Sequence, residues 1–130
     1  MPTATGAIEI KIGGEDTFQE GDGPRLAHAW GEQTFSGDIT GEGTVHWLNL
    51  YRADKTARLV GLQRIDGTVD GRTGSFVIEA TADHTGTSSH GSWSVIPGSG
   101  TGELEGITGS GEFDAPGGPN ATYQLVYEIG

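Results

Sequence analysis

The sequence predicts an all-β fold: a single antiparallel, lipocalin-like barrel of eight strands, joined up-and-down by glycine-rich hairpins. Three observations carry that reading. Apolar residues alternate with period two in a succession of short segments, the pattern of strands with distinct faces. Glycine supplies 24 of 130 residues and falls between those segments, where turns belong. No stretch holds an i, i+3, i+4, i+7 apolar stripe over three turns, and the bias toward Gly, Thr, Val, Ile and Tyr favours the pleated state over the helix.

Taken in order, the first strand is expected at 7–12 (AIEIKI), with Ile8, Ile10 and Ile12 on one face and Glu9 on the other. Residues 13–24 (GGEDTFQEGDGP) read as an exposed loop, because Glu15, Asp16, Glu20 and Asp22 stand among glycines. Clustered carboxylates are what a hard cation takes, but they do not recur here at EF-hand spacing. Further strands are expected at 25–35, 44–52, 57–65, 74–82 and 87–96. A glycine-weakened one follows within 100–113, then a breaker-rich turn at 114–120 and a last strand at 121–129.

The turns echo one another. SGDITGEGT at 36–44, DGTVDGRTGSF at 66–76 and EGITGSGEF at 105–113 each place a β-branched residue between glycines just before a strand. Related hairpins of this kind suggest a meander in which each strand pairs with its sequence neighbour. Closing such a meander removes its exposed edges, with a two-sheet sandwich as the alternative. A chain of 130 residues makes one domain, 1–130, with an ordered core expected over about 7–129.

Composition narrows the function. Acids outnumber bases 18 to 7 for a net charge of -11, which argues against nucleic acid and against attachment to anionic lipid. The absence of cysteine removes disulfides, thiolate nucleophiles and Cys-ligated metals. His28, His46, His84 and His90 do not pair at i, i+2 and form no HxxxH or HExxH, so no metal is expected. The glycine strings lie in hairpins with no helix to follow, and no GxSxG occurs, so neither a dinucleotide cofactor nor a serine nucleophile is expected. No apolar run approaches a membrane span, and MPTATGAIEI lacks the plan of a signal peptide, which makes the cytoplasm the expected compartment.

An eight-stranded barrel is just wide enough to be filled by side chains or to hold one small ligand. Trp47, Asn49 and Tyr51 share a strand face, Gln63 follows on the next strand, and Trp93 lies on a later one. Large aromatics with a few hydrogen-bonding groups are the usual lining of a small-molecule cavity. These five are the expected binding residues for an apolar or aromatic molecule. Glu9, Glu79 and His28 are the candidate catalytic residues, since a carboxylate in an apolar strand or a strand imidazole can move a proton. Alternation nonetheless turns Glu9 away from Ile8, Ile10 and Ile12, and Glu79 away from Phe76, Ile78 and Ala80. Both faces of 44–52 carry apolar residues, Leu48 and Leu50 opposing Trp47, so the outer wall is expected to pack against another subunit or a loop, with a homo-oligomer the favoured reading.

The hairpin motifs also carry a resemblance. FSGDITGEGT at 35–44, GLQRIDGTVDGRTGSFV at 61–77 and WSVIPGSGTGELEGITGSG at 93–111 resemble, in order, a small bacterial domain family of unknown function related to the allene oxide cyclase and dirigent-like barrels. GSGTGELEGITGSGEF at 98–113 resembles the corresponding plant hairpin. The resemblance implies an eight-stranded barrel and, from the cyclases, an apolar substrate steered by a first-strand glutamate and an asparagine-held water. By position Glu9 matches that glutamate, while Lys11 and Ile12 place no asparagine beside it and Asn49 is the nearest substitute. The expected function is therefore small-molecule binding within the barrel. A cofactor-free isomerase or cyclase, and a structural module with a filled barrel, are the alternatives.

Overall fold

A computed structural model describes residues 2–116 and 120–129, without the side chain of Ile12. It is a closed barrel of eight antiparallel strands, each paired with its sequence neighbours and the last with the first. The strands are β1 (Thr3–Gln19), β2 (Arg25–Gly37), β3 (Ile39–Tyr51), β4 (Ala57–Val69), β5 (Arg72–His84), β6 (Ser89–Val95), β7 (Ile107–Ala115) and β8 (Asn120–Ile129). Closure runs from Thr3↔Val126 to Glu9↔Asn120, so the second half of β1 pairs with β2 alone.

The expected strands are all present, and several run longer than alternation suggested. The largest correction falls on 13–24, which is not a loop: β1 continues to Gln19 and only 20–24 remain as the turn. A bulge interrupts the β1–β2 ladder between Ile12 and Gly14. There the Trp30 ring lies against glycine backbone. A Cβ on Gly13 or Gly14 would fall 2.7 or 2.6 Å from that ring. Residues 100–113 are corrected too, since a 3-10 turn at Gly102–Leu104 precedes β7. Asp114 and Ala115 belong to β7 and Asn120 opens β8, while 117–119 of the expected turn lie outside the described residues.

The β4–β5 hairpin has the two-residue turn that DG predicts, with Asp70 at φ 49° and Gly71 at φ 84°. Beyond β6 the edge of β5 is covered by the following segment. Ser99 Oγ accepts from Val77 N at 3.0 Å, Thr101 Oγ1 accepts from Ser75 N at 3.1 Å, and Thr101 N donates to Ser75 O at 2.8 Å. Such strapping leaves little of that edge free to pair with another chain.

The barrel is solid at one end and hollow at the other. At the end with the β2–β3 and β4–β5 turns, Ile39, Ile65, Phe76, Ile78, Leu104, Ile107 and Leu125 are fully buried side chains that fill the interior. Toward the other end the inward positions include the small residues Ala29, Gly31, Ala82, Ala115 and Ala121. Small residues on several strands leave space inside the wall.

Candidate functional site

That space is a cavity of about 280 Å3 opening at the end where β1 stands free of β8. Its apolar wall includes Ile8, Ile10, Trp47, Leu59, Trp93 and Phe113. The rings form a connected group: Trp47 and Phe113 centroids lie 6.3 Å apart, Phe113 and Trp93 6.0 Å, and Trp93 stacks on Tyr123 at 5.6 Å. Glycines opposite the rings give them room. A Cβ on Gly61 would lie 2.7 Å from Trp47, and one on Gly91 would overlap the ring of Phe113.

Two polar stations interrupt this wall. At the inner one, Gln63 Nε2 donates to Gln33 Oε1, and both side chains are buried. At the mouth, Glu15 Oε2 accepts from Tyr51 Oη and, at 3.3 Å, from Asn49 Nδ2, which also donates to Tyr51 Oη at 3.0 Å. Arg25 reaches Glu15 Oε1 at 3.3 Å and lies 4.2 Å from the Tyr51 ring centroid. Burial works to raise the Glu15 pKa, but the hydrogen bonds from Tyr51, Arg25 and Asn49 and the nearby Arg25 charge together hold it below its ordinary 4.5. Burial, then the Glu15 contact, pushes the Tyr51 hydroxyl up. The mouth therefore holds a carboxylate and a protonated phenol at neutral pH. Asn49 is buried, and its Oδ1 has no hydrogen-bond partner among the described residues.

The structure brings Trp47, Asn49, Tyr51, Gln63 and Trp93 together on the wall of this one cavity. Glu9, Glu79 and His28 do not join them. Glu9 is exposed on the outer face, as its alternation against Ile8 and Ile10 implied. Glu79 and His28 line a shallow outer groove with His46, Leu48, Val60 and Leu62. There His28 Nε2 lies 3.0 Å from His46 Nδ1. None of the three candidate catalytic residues lines the cavity.

Sequence reasoning missed Glu15, Arg25, Gln33 and Phe113. Glu15 was hidden by the bulge. Ahead of it the even residues Ile8 and Ile10 face inward; beyond it the phase reverses and Glu15, paired with the inward Ala29, faces the cavity. Gln33 carried a usable signal, since it stands in phase with Phe35 on β2.

Among the described residues no three His, Asp or Glu side chains gather as a metal site, and no helix is long and apolar enough to cross a membrane. The outer wall leaves Leu48, Val60 and Leu62 exposed at 57%, 46% and 52%.

No curated protein matches the chain. A crystal structure of a protein of unknown function from Shewanella oneidensis MR-1, of the DUF3224 family, is similar with a TM-score of 0.86 and 26% sequence identity, covering 100% of this chain and 98% of that one. The model of that family, described as a protein of unknown function (DUF3224), matches residues 4–127. On that match, spanning nearly all of the barrel, the chain belongs to the DUF3224 family.

Proposed function

We propose that this protein binds a small apolar or aromatic molecule in the open half of its barrel. The observation that carries the reading is the cavity itself: about 280 Å3 walled by Ile8, Ile10, Trp47, Leu59, Trp93 and Phe113 in a barrel otherwise filled. Small-molecule sites of roughly 300–1,000 Å3 are concave, mostly apolar and furnished with a few polar groups. A volume just under that range suits one or two rings. Because Trp47 and Trp93 line the wall, intrinsic fluorescence titrated with a panel of naphthalene and indole derivatives tests the reading. A saturable change with at least one compound supports it, and a flat response across the panel contradicts it.

A cofactor-free isomerase or cyclase is the second reading, and the residue that favours it is Glu15 rather than Glu9. Glu15 is a first-strand carboxylate that lines the cavity and accepts from Asn49, whereas the resemblance to allene oxide cyclases implies Glu9 as the first-strand glutamate and an asparagine-held water. A positioned carboxylate beside an enclosed apolar substrate can move a proton without a cofactor. Incubating a compound that binds with wild type and with Glu15→Gln separates the readings. A rearranged product from wild type alone favours the enzyme; unchanged compound from both leaves a binder.

Copies of the chain, in this reading, associate through the outer face of β3 and β4. Leu48 pairs with Val60 and His46 with Leu62, which makes the exposed apolar side chains contiguous. The patch is flanked by Arg58–Asp83 at 2.8 Å and Arg64–Asp66 at 3.3 Å. Sedimentation equilibrium is expected to give a dimer that Leu62→Glu converts to monomer. A monomeric wild type, or a dimer indifferent to that substitution, contradicts it.

A further inference from the structure

We propose that the molecule held in this barrel is an arylalkylamine, a frame of one or two rings carrying a protonated amine, and that the Glu15 carboxylate at the mouth accepts its ammonium. The inference rests on the barrel being a binding site and adds the charge and functional group that the bound molecule presents.

Glu15 is the one charged side chain among the described residues that line the cavity. It keeps 33% of its side-chain surface open, which puts the carboxylate within reach of a molecule at the mouth. Oε2 accepts from Tyr51 Oη and Asn49 Nδ2, whereas Oε1 accepts, among the described residues, from Arg25 alone at 3.3 Å. An ionised carboxylate has about four acceptor sites, so Oε1 has room for a further donor. Arg25 does not close it off. Its guanidinium is not part of the cavity lining, is 38% exposed, and makes its shorter bond to Thr17 Oγ1 at 2.7 Å.

The rest of the wall suits a cation as well as a ring. Trp30, Trp47, Tyr51, Trp93 and Phe113 line the cavity, and aromatic faces attract ammonium groups. Arg25 already shows that preference at the mouth, its guanidinium carbon 4.2 Å from the Tyr51 ring centroid. A neutral molecule that covers Glu15 strips water from an anion and returns nothing, whereas an ammonium replaces that water with a charge-assisted hydrogen bond. The net charge of -11 adds a field that draws cations and turns anions away. A carboxylic acid on the same frame meets Glu15 as a like charge.

Calorimetric titration of the intact protein at pH 7 with tryptamine, tryptophol and indole-3-propionate tests the inference. The three share an indole ring and a two-carbon arm and end in an ammonium, a hydroxyl and a carboxylate. Salt at about 0.15 M screens charges more than about 8 Å away, which leaves the contact at Glu15 to decide the ranking. Wild type is expected to bind tryptamine about tenfold more tightly than tryptophol, a difference of about 1.4 kcal/mol, and indole-3-propionate least of all. In Glu15→Gln the ratio of tryptamine to tryptophol affinity is expected to fall to about one. Tryptophol or indole-3-propionate binding wild type as tightly as tryptamine, or a preference for tryptamine that survives in Glu15→Gln, overturns the inference while leaving the cavity as a binding site. Binding of none of the three overturns the binding reading along with it. The wild-type comparison decides the question even if the variant does not fold.

Discussion

Tyr51 donates its phenolic hydroxyl to the Glu15 carboxylate across the mouth of the barrel, tying the half of β1 that does not pair with β8 to the end of β3. The tie depends on pH in a definite direction. Glu15 has a folded pKa below its ordinary 4.5, because hydrogen bonds and the Arg25 charge outweigh the opposing effect of burial. A carboxylate depressed in this way contributes stability above its unfolded pKa and loses it as pH falls through the folded value. The thermal midpoint of wild type is therefore expected to exceed that of Glu15→Gln at pH 7, with the gap closing toward pH 3. Circular dichroism melts across that range check it, and a gap that stays constant to pH 3 would mean that the ionised carboxylate is not what holds the mouth.

The ring of Phe113 occupies space that Gly91 leaves open. A methyl group there would overlap Phe113 Cε1, so the ring must move. Overpacking of this kind costs about 1–3 kcal/mol. Urea denaturation of Gly91→Ala should register that loss, and Gly91→Ala combined with Phe113→Leu should recover most of it. A Gly91→Ala variant as stable as wild type would mean that the cavity wall is more compliant than its packing implies.

Gln33 and Gln63 form a pair that is stable only whole. Replacing Gln63 by Leu strands the buried Gln33 amide, at a cost of about 1–3 kcal/mol, while replacing both removes the unmet need. A double-mutant cycle by chemical denaturation is expected to find Gln33→Leu plus Gln63→Leu less destabilised than the sum of the single changes. Strict additivity would show that the two amides do not act together.

The fold was legible because its signals are local. Alternation in TVHWLNLYR, and glycines such as Gly71 at a two-residue turn, need no knowledge of distant residues. The shared face of Trp47, Asn49 and Tyr51 was legible for the same reason. What stayed hidden was set by contacts between strands. The acidic stretch after Gly13 is strand because Trp30 of β2 rests on it, and Glu15 turns inward because the bulge there shifts the phase by one residue. Whether the barrel is hollow depends on Ala29, Ala82, Ala115 and Ala121, on four different strands, lining the same cavity, which no single segment reveals. The outward position of His28 shows the converse: a histidine in an apolar strand looked chemical, yet its phase sets it beside His46 on the exterior.

His90 and Asp114 face each other across β6 and β7, 2.5 Å apart on the exposed surface. The hydrogen bond and then the charge of Asp114 raise the His90 pKa above 6.5. Its contribution is therefore present below the unfolded pKa and is lost as pH rises through the folded one. Proton NMR titration should find His90 titrating above 6.5 in wild type and lower in Asp114→Asn. Identical titration in the two proteins would remove the pairing.

Binding in the hollow half of the barrel, rather than on its outside, is decided by mapping where a molecule sits. In amide and side-chain NMR spectra recorded as indole is added, saturable shifts are expected at Trp47, Asn49, Trp93 and Phe113, all on the cavity wall. No shift at those residues, or shifts confined to His28, Leu48, Leu62 and Glu79 along the outer groove, would contradict it.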